Sequence, residues 1–81
     1  MSIRLAPSDT RALPVQIAEA LRTQVTAGIL LPGEQVPSTR ALAAKLGVSR
    51  GSVVTAYEQL TAEGYLTAEV GSGTVRSEER V

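Results

Sequence analysis

Apolar residues recur at helical spacing in three separate runs along the chain. In the first, Ile17, Ala18, Leu21 and Val25 share one face while Glu19, Arg22 and Gln24 fall elsewhere, which predicts an amphipathic helix over residues 14–27. Pro14 suits its first turn, where a missing N–H is tolerated, and Gly28 is placed to stop it. The second run is short: Leu42, Ala43 and Leu46 supply the buried stripe of a helix over residues 39–46, with Ser38 as N-cap and Gly47 as terminator. In the third, Val53, Ala56, Tyr57 and Leu60 keep helical spacing within residues 49–63, Ser49 being the N-cap candidate and Gly64 the stop. Only Gly47, Val48 and Ser49 separate the second run from the third. Two helices joined by so short a Gly-led turn form a helix-turn-helix. The small Ala43 suits a close helix crossing, with Val48 and Val53 filling the corner from inside.

The remaining segments lack that period. Residues 1–13 read as an arm or loop, with Pro7 discouraging an early helix. Residues 29–36 contain Pro32-Gly33, a turn signal. Tyr65-Leu66-Thr67-Ala68-Glu69-Val70 has strand composition; Gly71-Ser72-Gly73 follows as a tip, and Thr74-Val75-Arg76 can return as a second strand. The expected architecture is mainly α with a small β-hairpin: a three-helix winged helix-turn-helix over residues 14–76, preceded by an arm and followed by a tail or linker start over residues 77–81.

Composition narrows the function classes. Hydrophobic residues make up 43% of the 81, enough for one packed domain. With no Phe or Trp, the core must come from Leu, Val, Ile and Ala; Tyr57 and Tyr65 read as core residues with hydroxyls near the surface. The sequence has no Cys and no His, which excludes disulfides, Cys/His zinc sites and Cys- or His-based nucleophile pairs. Neither a phosphate-binding loop nor a converging carboxylate cluster is visible, so an enzyme is not expected. No apolar run approaches the roughly 20 residues of a membrane span, and the N-terminus lacks a signal-peptide core. A cytoplasmic protein without a membrane partner is the expectation. Net charge is zero, which by itself argues against nucleic-acid binding. Its distribution argues the reverse: residues 35–57 hold Arg40, Lys45 and Arg50 and no acid. A neutral chain can still present one positive face.

The run Pro32-Gly33-Glu34-Gln35-Val36-Pro37-Ser38-Thr39-Arg40 resembles the turn-and-cap signature of the GntR family of bacterial regulators. Leu42-Ala43, Leu46-Gly47-Val48-Ser49-Arg50, Tyr57-Glu58-Gln59-Leu60, Glu63-Gly64-Tyr65-Leu66 and Gly71-Ser72-Gly73-Thr74 follow in that family's order and spacing. The later motifs look most like the MocR subfamily, in which such a head is tethered to an aminotransferase-like domain holding pyridoxal phosphate. The resemblance therefore implies no cofactor in this domain and pyridoxal phosphate only in a fused effector domain. Four positions depart from the pattern: Val36 in place of Leu, Val15 in place of an aromatic, Val75 directly after Thr74, and Gly51 where a larger residue is common. The first three alter packing; the fourth alters the surface expected to face DNA.

Helix three is the recognition helix by position, its N-terminal end expected in the major groove. Gly51 and Thr55 point away from its buried side, with Ser52 and Val54 on the flanks. Arg50 is the leading base reader, because a guanidinium can bond guanine O6 and N7 together; the alternative is a solvated or carboxylate-paired arginine. The resemblance also puts a DNA-contacting arginine here. Ser49 and Ser52 are candidates for phosphate or base contact, set against plain capping and an indifferent surface serine. Gly51 suits close backbone approach to DNA or neutral drift. Val54 and Thr55 could meet a thymine methyl, although Val54 suits the edge of the core equally. Arg40 matches the family arginine that anchors the phosphate backbone, where contact fixes register without reading sequence; the alternative is a solvated residue. In the wing, Gly71 and Gly73 suit the turn and are small enough to let the tip lie in a minor groove, and Thr74 and Arg76 are candidates for phosphate contact; Lys45 reads as solvated, with phosphate contact the lesser reading. The expected partner is double-stranded DNA, with a homodimer in the full-length regulator. The competing expectation is a winged-helix protein-interaction or dimerisation module, favoured by zero net charge and an uncharged wing tip.

Overall fold

The computed structural model describes residues 3, 5, 8–69, 71 and 73–78. Three helices, α1 (Leu13–Thr26), α2 (Thr39–Leu46) and α3 (Arg50–Ala62), precede two antiparallel strands, β1 (Leu66–Glu69) and β2 (Gly73–Arg76). α2 has the expected bounds; α1 begins one residue earlier than Pro14 suggested, since proline is equally tolerated one position further into the first turn.

The caps lie where the sequence places them. Ser38 Oγ accepts the Ala41 N–H at 3.1 Å and Ser49 Oγ accepts the Ser52 N–H at 3.3 Å, each satisfying a donor left over by the helix start. At the far end of α2, Gly47 adopts φ 69° and the Val48 N–H returns to the Ala43 carbonyl at 3.1 Å. That left-handed residue turns the chain directly into α3, which is why the connection can be so short. The same closure ends α3: Tyr65 N–H donates to Leu60 O at 2.9 Å and Gly64 N–H to Thr61 O at 3.1 Å.

α3 is central, packed against both α1 and α2 and leading into β1. Val53, Ala56 and Leu60 are fully buried on it, against Ile17, Ala18 and Leu21 of α1 and Leu42 of α2 in one apolar cluster. Each large aliphatic side chain so buried stabilises the fold by about 1.5–3 kcal/mol relative to exposure. Ala43 is 6% exposed, as a close crossing requires, and Val48 packs against the core cluster that includes Val53. Polar ties lock the helix angles. Arg22 of α1 meets Glu63, the C-cap of α3, through paired bonds of 2.8 and 3.1 Å. Tyr57 is buried in α3, and its hydroxyl donates to the Pro37 carbonyl just before α2 at 2.7 Å.

Three features depart from expectation. Residues 33–36 form a third lane beside β2: Val36 N–H donates to Thr74 O, Arg76 N–H to Glu34 O, and Gly33 N–H to Arg76 O, each at 2.9 Å. The Pro-Gly pair hid this lane, because a turn signal masks the extended backbone that follows it. The N-terminal segment, expected as an arm or loop, packs on the domain at the residues described. Ile3 is 8% exposed and belongs to the core, Leu5 packs against it, and the buried Gln16 Nε2 donates to the Arg11 carbonyl at 2.6 Å. Arg11 also bridges Asp9 and Glu19, and its hydrogen bonds hold the Asp9 carboxyl down to about 2. Finally, the expected tail starts inside the fold: Ser77 is buried and its N–H donates to the Tyr65 carbonyl at 2.9 Å. Arg4, Pro7, Val70 and Ser72, and residues 79–81 of the expected tail, lie outside the described residues.

Candidate nucleic-acid interface

The helix-turn-helix brings two helix starts together on one surface. Ser38 and Thr39 open α2, Ser49 and Arg50 open α3, and the Arg50 Nε–H donates to Thr39 Oγ1 at 3.2 Å across the junction. Both starts carry backbone N–H groups in excess of intrahelical acceptors, a partial positive charge suited to phosphate. No acidic residue occupies the first turn of either helix.

The described arginines of the helical part divide by environment. Arg11 and Arg22 are held by carboxylates, and hydrogen bonding to those acids raises both guanidinium pKa values. Arg40 and Arg50 are exposed, and among the described residues neither has a carboxylate partner. Arg50 is thus neither acid-paired nor freely solvated; it is tethered at one nitrogen, leaving four N–H groups for an external acceptor.

The remaining helix-three candidates also take the positions expected of them. Gly51 and Thr55 are exposed, Ser52 and Val54 half-buried on the flanks. Ser49 and Ser52 share a hydrogen bond between their hydroxyls at 2.9 Å, so the pair retains one O–H to donate outward. Gly51 lies in ordinary helical backbone, and a Cβ built there meets nothing within 4 Å. The fold itself therefore has no need of glycine at this position.

The wing is joined to this surface through the third lane. Gln35, three residues before the α2 cap, pairs with Val75, and its side-chain nitrogen lies 3.3 Å from where a Cβ on Gly73 would sit. Gly73 is exposed and Thr74 half-buried. Gln35, exposed beside Gly73, belongs with this surface and was missed, because nothing local in the sequence pairs residue 35 with the wing. Arg76 does not belong to it. The side chain is 7% exposed and Nη1 donates to the Leu30 carbonyl, so the guanidinium ties the wing to the segment after α1 rather than facing a phosphate. The Leu30 carbonyl lies 46 positions earlier in the sequence, so nothing local to Arg76 announces this contact.

Lys45, the only lysine in the sequence, is exposed in the last turn of α2. Among the described residues no group of acids could hold a metal ion, and no helix is long and apolar enough to cross a membrane.

Three helices with a helix-turn-helix at α2–α3 and a two-stranded wing define a winged helix-turn-helix domain. Residues 13–75 match the family described as bacterial regulatory proteins, gntR family, and the chain belongs to that family. It is 53% identical over 74 residues to the HTH-type pyridoxine biosynthesis transcriptional regulator PdxR of Corynebacterium glutamicum, covering 91% of this chain and 16% of that protein. Identity to the probable rhizopine catabolism regulatory protein MocR of Rhizobium meliloti is 49% over 59 residues, 73% of this chain and 12% of that one. The chain thus spans less than a fifth of these relatives' length. Among solved structures, YtrA from Sulfolobus acidocaldarius, a GntR-family transcription factor, superposes with TM-score 0.88 at 31% identity, covering 96% of this chain and 82% of that one. The DNA-binding domain of AraR in complex with operator ORE1 superposes with TM-score 0.78 at 25% identity, covering 95% and 94%.

Proposed function

We propose that this chain is the operator-reading domain of a bacterial transcriptional regulator, binding duplex DNA by sequence with α3 in the major groove and the wing near the minor groove. One observation carries this reading: Arg40 and Arg50, exposed and without carboxylate partners among the described residues, stand at the starts of α2 and α3, while Arg11 and Arg22 are neutralised and Arg76 is buried. Arg50 reads base edges, Arg40 grips the backbone, and the Ser49–Ser52 hydroxyl pair with the helix-start N–H groups supplements the grip. The operator complex of AraR and the regulators among the relatives support the same assignment. In the whole protein, a fused effector domain of the MocR type would supply dimerisation and any pyridoxal phosphate, in the cytoplasm where the DNA is. One observation favours an additional protein contact: Ile29 and Leu31 are 59% and 58% exposed.

The test is fluorescence anisotropy with a duplex enriched by the domain from a random-sequence pool, and a scrambled control, at about 50 and 200 mM salt. Arg50→Ala is expected to weaken binding to the enriched duplex by about 1–3 kcal/mol and to flatten base preference. Arg40→Ala is expected to weaken both duplexes alike and to lower the salt slope by about one. Equal and salt-insensitive binding of wild type to both duplexes would reject the assignment in favour of a protein-interaction module.

A further inference from the structure

We infer that Thr39 is a specificity-determining positioning residue, one that sets how Arg50 is presented to DNA. This inference rests on the DNA-reading role proposed above. Thr39 is half-buried in the first turn of α2, and its Oγ1 accepts the Arg50 Nε–H at 3.2 Å. An arginine at the exposed start of a helix would otherwise sample many rotamers and lose that freedom on binding. The hydroxyl removes part of this loss beforehand. It also selects which edge of the guanidinium remains available. With Nε engaged, the Nη1/Nη2 edge is left to make the paired bonds that distinguish guanine O6 and N7.

The arrangement is favoured by what surrounds it. Ser38, next to Thr39, is spent on capping Ala41, and Ser49, next to Arg50, is spent on Ser52. Thr39 caps neither helix, and its hydroxyl is the one that accepts from the arginine. An acid at residue 39 would also hold Arg50, but would place a negative charge beside the phosphates. A threonine positions the guanidinium while leaving its full charge for DNA.

The experiment compares Thr39→Val, which keeps the shape and removes the acceptor, with Thr39→Ser, which restores it. Their affinities for the enriched and scrambled duplexes are measured alongside Arg50→Ala and the Thr39→Val/Arg50→Ala double variant. Thr39→Val should reduce the enriched-to-scrambled affinity ratio about three- to tenfold, the range expected for one hydrogen bond; Thr39→Ser should restore it, and the substitution should have no further effect once Arg50 is gone. Without DNA, the Arg50 Nε–H resonance should shift and exchange faster in Thr39→Val and recover in Thr39→Ser. If Thr39→Val does not fold, Thr39→Ala carries the same comparison. An unchanged ratio, or an equal loss in the Arg50→Ala background, overturns the positioning role while leaving the DNA-reading role intact. A wild-type domain that does not distinguish the two duplexes overturns both.

Discussion

Tyr57→Phe removes one oxygen atom and tests the joint on which the helix-turn-helix geometry depends. The Tyr57 ring is 5% exposed in α3, and its hydroxyl donates to the Pro37 carbonyl at 2.7 Å, one residue before the α2 cap. Phenylalanine keeps the packing but leaves that carbonyl without its donor, which destabilises by about 1–2 kcal/mol at neutral pH. For a domain of this size each kcal/mol corresponds to a fall in Tm of about 4–8 °C. The pH dependence provides a second signature. Burial pushes the Tyr57 phenol up to about 12 in the folded state, against about 10 in an unfolded chain. The folded state thus holds the phenolic proton more tightly, a contribution complete below pH 10 and lost as pH rises towards 12. The loss in wild type by pH 12 is on the order of 2 kcal/mol, and Tyr57→Phe has no such loss from this position. Urea unfolding of both proteins from pH 8 to 12 should show wild type ahead at the start and the gap closing at the top. Equal stability at pH 8 would refute the hydrogen bond, and a gap constant across the range would refute the burial of the hydroxyl.

Two further substitutions separate fold from interface. Arg76→Ala should destabilise by about 2 kcal/mol, from lost packing and an unsatisfied Leu30 carbonyl, while leaving the salt slope of DNA binding unchanged; a slope lowered by one would return Arg76 to the phosphates. Gly51→Ala should stabilise by about 0.5 kcal/mol, because no neighbour lies within 4 Å of the new methyl and the unfolded chain loses freedom. If the same variant binds the enriched duplex more weakly, glycine is kept there for close approach of the DNA.

What the sequence makes legible, and what it leaves hidden, follows from the range of the interactions. Helix stripes, the Ser38 and Ser49 caps and the Gly47 stop are set by residues within a turn or two of one another, and each agrees with the structure. The exposed positions of Arg40, Arg50, Gly51 and Thr55 follow from the same periodicity. The third lane at residues 33–36 pairs with residues some forty positions later, and no local pattern announces it. Arg76, expected at a phosphate, is instead buried with its guanidinium bonded to the Leu30 carbonyl 46 positions earlier, a contact equally invisible locally. Ile3 and Leu5 lie in a stretch too short for a period and join the core through tertiary contact alone. The Thr39–Arg50 bond is hidden for a related reason: its partners are eleven residues apart and meet only once the turn is made.

Amide chemical shifts of the isotope-labelled domain, followed as the enriched duplex is added at low salt, locate the binding surface residue by residue. The largest changes should fall at Thr39 and Arg40 and from Ser49 to Thr55, with smaller ones at Gly73 and Thr74, and the scrambled duplex should produce weaker changes at the same places. Changes confined to Ile29, Leu31 and the exposed side of α1, or none with either duplex, would contradict a DNA-reading face at the starts of α2 and α3.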